Sequence, residues 1–586
     1  MTFRQLSEYL FLLEQTSSRL KITEILAELF VKAQEDEMDR ICYLSLGRLL
    51  PAYEGLEFQM AEKMMIRAIT KAVGTSIEET TKEYKKVGDL GEVAEKLKER
   101  HLNKRAQDRL LEIKEEKDRG ELSINRVYER LIETARESGS GSVERKIDKM
   151  ASLLEDLDSL SVRFVVRIPL SKLRLGFSEM TILDALSWMV EKDKSLRSSF
   201  EDAYNVLADI GEIAKRIKKD GGIKKINPEV GTPILPALAQ RLGTVEEMLE
   251  KVGTEEGVAL EPKYDGERLQ IHLGKEIKIF TRNMENVTSM FPDIVALVRK
   301  EIKAKEVILD GEGIGFNPKT GKFVPFQETI RRKRKHDIGE TVKEIPIKFF
   351  VFDLMYKDGR NLMKTSFIER RKILERILPS SNKTLILTPQ IRTNDPGEVR
   401  RFHDEQIKLG LEGAMVKKLH APYDPGRRNF TWVKFKQEET KKGGGLADTI
   451  DCLVLGVYRG RGKRATFGVG AFLVGVLKDK KYLSLSKIGT GLTDEQWREI
   501  NKQSKGFKTV QKPANYEVDR NLTPDSWLSP GLVVEIQADN VTKSPLHAAG
   551  LALRFPRLVR FRPDKSAERI TTLGEVEELF RLQYGK

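Results

Sequence analysis

The sequence predicts a multidomain chain of three classes: all-helical over 1–230, mixed α/β over 231–440, and a small β-barrel over 441–586. Three observations carry this. Only Pro51 and Pro169 interrupt the first 220 residues. Gly, Pro and Lys then cluster at 218–234, and apolar residues recur at every second position beyond. A run of three glycines, Gly443, Gly444 and Gly445, precedes short, closely spaced apolar runs. At about 100–200 residues per domain, 586 residues suit three or four domains.

In the first region Ile22, Ile25, Leu26, Leu29 and Phe30 fall at i, i+3, i+4, i+7 and i+8, one face of a helix. Segments 89–118 and 125–137 are rich in good helix formers. Ser138-Gly139-Ser140-Gly141-Ser142 reads as an internal loop.

In the second region Leu269, Ile271 and Leu273 alternate, Gly274 turns the chain, and Ile277 and Ile279 alternate again, a hairpin signal. Further strands are expected at 307–309, 347–354 and 413–416, with helices at 366–378 and 397–409. In the third, strands are expected at 451–458, 470–477, 481–487 and 531–538.

Composition narrows function. Lys+Arg is 103 and Asp+Glu 89, a net +14 that suits a polyanionic partner as well as plain solubility. Two cysteines, Cys42 and Cys452, exclude a disulfide framework and a cysteine-built zinc site. The six histidines are scattered without metal-binding spacing. The start has polar residues through any possible apolar core, and no apolar run reaches the length of a membrane span. The expectation is a soluble, cytoplasmic protein with no membrane partner. The basic run 331–335 reads as a solvated loop on one side, or as a nuclear address or nucleic-acid patch on the other, with equal weight.

The chemistry gathers in ordered motifs. The first is Glu261-Pro262-Lys263-Tyr264-Asp265-Gly266-Glu267-Arg268, just before an expected strand. Then come Leu309-Asp310-Gly311-Glu312-Gly313 and Phe349-Phe350-Val351-Phe352-Asp353. Leu411-Glu412-Gly413-Ala414-Met415-Val416-Lys417 and Trp432-Val433-Lys434-Phe435-Lys436 follow. The last runs from Arg554-Phe555-Pro556-Arg557 to Arg560, Arg562 and Lys565. In this order they resemble the six motifs of covalent nucleotidyltransferases, the DNA ligases and mRNA-capping enzymes. Lys172-Leu173-Arg174-Leu175-Gly176-Phe177 and Thr181–Leu186 resemble the helical DNA-binding domain of ATP-dependent DNA ligases, closest to the archaeal replicative type.

The resemblance implies a helical DNA-binding domain, an adenylation (nucleotidyltransferase) domain and an OB-fold. It implies ATP as co-substrate, Mg²⁺, and nicked double-stranded DNA as substrate in replication, repair and recombination. A monomer is expected, with a sliding clamp as a further partner. Lys263 is expected to attack the α-phosphate of ATP. A free lysine is almost wholly protonated at pH 7, so nearby positive charge must favour the neutral amine. Gly266 permits a tight turn beside the nucleotide and Asp265 orients the loop. Arg268 and Arg282 are expected to meet ribose or phosphates. Glu312 and Glu412 are the candidate metal ligands, Glu312 also facing the nucleotide. Phe352 resembles the residue that stacks on adenine, and Glu261 the one whose backbone reads its amino group. Lys434 and Lys436, two apart on one strand face, suit a triphosphate, with Arg428 joining them. Arg554 and Arg557 would orient pyrophosphate, the triple glycine letting the barrel swing.

The alternatives are an RNA ligase or capping-type enzyme, and a non-catalytic DNA-binding scaffold. The large N-terminal region stands against capping, and the intact set of lysines and glutamates against a scaffold. Two departures from the family pattern are Gly313 after the glutamate, where alanine is usual, and the barrel start Leu455–Gly462, which lacks an acidic-aromatic step.

Overall fold

The computed structural model describes all residues except 110–121, 174, 224–225, 243, 325, 333–337, 379–383, 437–448, 461–466 and 583–586. The triple glycine, most of the 331–335 run, Arg174 and the side chain of Lys436 therefore lie outside the described residues. The chain forms two compact units, Met1–Gln437 and Glu438–Lys586.

The first unit begins with helices from Phe3–Glu14 to Ile210–Asp220. Side-chain oxygens of Thr2, Ser18, Ser76, Ser123, Asp158 and Asp209 accept first-turn N–H groups, satisfying donors that a helix start leaves open. The Ile22-to-Phe30 face is buried in one core that runs through the helical region. The expected 89–118 helix is observed over Leu90–Arg109.

Between Asp220 and β1 (Leu238–Arg241) the described residues form no helix or strand. Two sheets follow. The first has the order β1, β11 (Arg428–Lys436), β10 (Gly413–Lys417), β2 (Val258–Lys263) and β9 (Ile391–Thr393). The second has the order β4 (Ile277–Thr281), β3 (Glu267–Leu273), β5 (Val307–Gly315), β6 (Ile347–Lys357) and β7 (Arg360–Asn361), with β8 (Leu385–Leu387) beside β6.

Alternation assigns each strand two faces. In the first sheet Val258, Leu260, Ala414, Val416, Val433 and Phe435 form a core with helices Val245–Val252 and Pro396–Lys408. In the second, Leu269, Ile271, Leu309, Phe349 and Val351 form a core with helices Pro292–Glu301 and Phe367–Ile377. The opposite face of each sheet carries the polar motif residues. Tyr264, Asp265 and Gly266 are the short crossing from the first sheet to the second.

The helical and α/β parts are joined within this unit. The Asp209 carboxylate accepts the hydroxyls of Tyr43 and Tyr53 at 2.5 and 2.9 Å. Tyr53 meets Phe280 of β4 edge-on at 6.0 Å. Arg332 of the basic run is no solvated loop residue: it is buried and bonded to Asp293 at 2.5 Å.

The second unit is the expected β-rich domain. Strands Ile450–Arg459, Val469–Lys478 and Lys481–Ile488 pair antiparallel in sequence order, and Val533–Gln537 pairs with the first of them. Cores lie on both faces of this sheet, around Val454 and Phe472 and around Leu455 and Tyr516. Among the described residues no helix is long and apolar enough to cross a membrane.

Candidate active site

Register brings side chains of three motifs onto one face of the first sheet. Lys263 of β2 stands opposite Gly413 of β10, and Gly413 opposite Lys436 of β11. Two pairs along, Glu261, Met415 and Lys434 stand in a row. Opposed residues share a sheet face, as do residues two apart. Glu261, Lys263, Met415, Lys417 and Lys434 therefore look away from the helix-packed core.

Lys263 closes β2, and its ammonium forms an ion pair with the Glu412 carboxylate. The Glu412 N–H donates to the Lys263 carbonyl at 3.0 Å, so the backbone itself sets this pairing. Gly266 follows in the crossing. A Cβ there would lie 2.4 Å from the Gly313 carbonyl oxygen and 3.0 Å from Glu312 Cγ, a space only glycine fits. Asp265 beside it is half-buried.

Glu312 lies on β5 opposite Arg268 of β3. Burial pushes its carboxyl up to about 8, against the pull of the Lys263 and Arg268 charges. Glu412 holds the lysine amine, and the lysine charge also acts on Glu312. Among the described residues no cluster of three or more metal-ligating side chains occurs. Two carboxylates suit Mg²⁺, which keeps waters and takes substrate phosphates as its other ligands.

Arg268 is held more tightly than its sequence position suggests. It grips Asp310 bidentately, Nε to Oδ1 at 3.0 Å and a terminal nitrogen to Oδ2 at 2.6 Å. Its other terminal nitrogen donates to the Ala237 carbonyl at 2.7 Å. Its guanidinium lies 5.6 Å from the Phe352 ring centroid and 5.4 Å from that of Trp432.

The sequence left open the face on which Phe352 lies. A β-bulge between Asp310 and Gly311 leaves Phe352 as the extra residue on β6 and turns it away from the core of Phe349 and Val351. It meets Trp432 edge-on at 5.9 Å, on the motif surface.

Glu261 is buried, and its carboxylate takes Lys417 Nζ at 2.7 Å and Gln390 at 2.9 Å. Lys417 also donates to the Phe352 carbonyl at 3.2 Å. This buried pair ties the sheets together beside Lys263. Lys434 is half-buried. Arg282 is exposed just past β4, and Arg428 is exposed at the opposite end of β11 from Lys434.

In the second unit Arg557 pairs with Asp539, and Arg554 lies over Phe555 at 5.3 Å. Arg560 pairs with Glu535 at 2.5 Å and Arg562 with Asp451 at 2.9 Å.

Sequence reasoning missed Lys417, Asp310, Trp432 and Tyr423 as parts of this surface. Parity offered a signal for the first: Lys417 is a lysine in an apolar strand, two residues from Met415. Asp310 and Tyr423 meet across 113 residues of chain, which no local pattern reveals.

Comparison with known proteins agrees with this arrangement along the chain. Residues 2–187 match the family described as DNA ligase N terminus, 236–436 the ATP dependent DNA ligase domain, and 449–565 the ATP dependent DNA ligase C terminal region. A probable DNA ligase of Dictyoglomus turgidum is 43% identical, covering 100% of this chain and 98% of its own. A DNA ligase of Staphylothermus marinus is 39% identical over 100% of both chains. A solved structure titled Pmar-Lig_PreS3 shares the fold with a TM-score of 0.52 at 19% identity, covering 95% of this chain and 99% of its own. The chain belongs to the ATP-dependent DNA ligase family.

Proposed function

We propose that this ligase seals nicks in double-stranded DNA through an AMP carried on Lys263. Lys263 gives up its ammonium proton to solvent, its Nζ lone pair attacks the α-phosphorus of ATP with loss of a second proton, the bond to the β-phosphate oxygen breaks, and pyrophosphate leaves. An oxygen of the nick 5′-phosphate then attacks the same phosphorus, breaking the P–N bond and freeing the lysine. The 3′-hydroxyl finally attacks the 5′-phosphorus, and AMP departs with the electron pair.

The observation that carries this reading is the Lys263 amine held against Glu412, with the Lys263 charge also acting on the buried Glu312 carboxyl. Mg²⁺, the metal of this family, would be held by Glu312 and Glu412. When bound it neutralises charge on the phosphate oxygens. Around it the chain's own residues orient the nucleotide. Phe352 presents a ring face to adenine, and the Glu261 backbone reads the base edge. Arg268, Arg282, Lys434, Lys436 and Arg428 supply positive charge to ribose and phosphates. Asp265 and Gly266 shape the crossing, while Arg554 and Arg557 serve the pyrophosphate. The domain boundaries near 230 and 440 belong to the same reading. So do a monomeric state, a sliding-clamp partner and association with the nucleoid.

The test is sealing of a fluorescent duplex with a single 5′-phosphorylated nick, given ATP and Mg²⁺. Full-length product is expected, falling steeply with added salt because the contacts are to backbone phosphates. No sealing of the DNA nick, with sealing of an RNA nick, would overturn the proposal in favour of an RNA ligase.

A further inference from the structure

Four groups around Arg268 close a hydrogen-bonded ring. The Tyr423 hydroxyl donates to Asp310 Oδ2 at 2.8 Å and accepts from the Ala237 N–H at 3.1 Å. Asp310 and the Ala237 carbonyl are the two acceptors that grip the Arg268 guanidinium, at 2.6–3.0 Å. One phenol therefore touches both holders of the arginine. Tyr423 and Asp310 are each 1% exposed, so water does not compete with these bonds. Burial and the Asp310 charge push the Tyr423 hydroxyl well above its ordinary range, so it keeps the proton it donates.

The ring is anchored on every side. Tyr423 packs edge-on against Trp432 at 5.7 Å, the ring over which Arg268 lies. Ala237 belongs to the segment that leaves the helical region, and β3 stitches that segment down at alternate residues. Gln270 exchanges two bonds with Ile234, at 2.8 and 3.0 Å, and His272 Nδ1 accepts the Gly231 N–H at 3.0 Å. A guanidinium has five N–H donors. Three are spent at 3.0 Å or less and a fourth points at Tyr423 at 3.5 Å. Among the described residues this leaves one N–H, on the nitrogen that holds Ala237, in place for a ligand. A small rotation of the plane would aim that hydrogen elsewhere.

We propose that Tyr423 is a positioning residue for the adenylation chemistry, fixing the plane of Arg268 through Asp310 and the Ala237 backbone. This rests on the reading of Arg268 as a nucleotide contact. The test is a double-mutant cycle of Tyr423→Phe and Arg268→Lys. Its readout is the single-turnover rate of transfer of α-labelled phosphate from ATP onto the full-length protein, below the unfolding midpoint of each variant. Phenylalanine keeps the ring against Trp432 and removes only the hydroxyl. Tyr423→Phe alone is expected to slow adenylation about tenfold, as loss of a hydrogen bond to a charged group would. In the Arg268→Lys background it should add less than about twofold, because residues acting through one another do not add. Asp310→Asn, run in parallel, should show the same dependence on Arg268. A tenfold loss in both backgrounds, or none with Arg268 intact, would overturn the proposal alone. An unaltered protein that forms no adduct at all would overturn the functional reading with it.

Discussion

Lys263, the last residue of β2, forms an ion pair with Glu412, the residue just before β10, and the Glu412 N–H bonds to the Lys263 carbonyl at 3.0 Å. The carboxylate is thus aimed at the amine by a backbone bond where the chain enters β10. Glu412→Gln keeps the side-chain shape and the backbone bond but removes the charge. Adenylation is expected to fall about a hundredfold, in line with loss of one electrostatic stabiliser at a reacting centre, with little change in thermal unfolding. Single-turnover transfer of labelled AMP checks this. An unchanged rate would remove Glu412 from the chemistry.

Gly266→Ala places a Cβ 2.4 Å from the Gly313 oxygen and 2.8 Å from Ile314 Cγ1. Backbone cannot yield as a side-chain tip can. A destabilisation of about 1–3 kcal/mol is expected, typical of overpacking, together with a large loss of adenylation. Gly222→Ala, where a Cβ meets nothing within 4 Å, is the matched control and should be neutral. Urea unfolding of both variants tests the contrast.

His272 gives the fold a pH dependence. It is fully buried on β3, and burial, with Lys278 adding, depresses its imidazole to about 3. Below the ordinary histidine value of about 6.5 the unfolded chain takes up a proton that the folded chain refuses. This contribution is complete above pH 6.5 and is lost as pH falls towards 3. Between pH 6.5 and 5 the loss is about 2 kcal/mol. His272→Gln should flatten the pH dependence of the unfolding midpoint across that window. An unchanged slope would show that His272 does not set it.

Asp353 ends the motif that carries Phe352, yet its carboxylate serves packing. It binds Arg370 at 2.7 and 3.0 Å, and both side chains have no solvent exposure. Arg370→Met leaves that carboxylate buried and unpaired. A loss of about 3–5 kcal/mol is expected in equilibrium denaturation. A variant as stable as the original protein would contradict this account of the pair.

Strand parity was the most legible part of the sequence. Alternation at Leu269, Ile271 and Leu273 assigned the core face of β3, and so the opposite face to Arg268. The spacing of Lys434 and Lys436 was equally direct, since one strand carries both. Parity failed where the chain departs from it. The bulge opposite Asp310 and Gly311 shifts β6 by one residue, so the face of Phe352 could not be counted out. Side chains that pair across sheets were also invisible. Glu261 with Lys417 and Arg268 with Asp310 arise from register, which depends on how strands far apart in sequence align.

The central claim is that Lys263 carries the AMP. The most direct test is to incubate the full-length protein with ATP and Mg²⁺ and record its intact mass, then map the modified peptide. One AMP per chain is expected, located on Lys263 and discharged by nicked DNA, with no adduct on Lys263→Ala. An adduct on another residue, or one that persists in Lys263→Ala, would contradict the account.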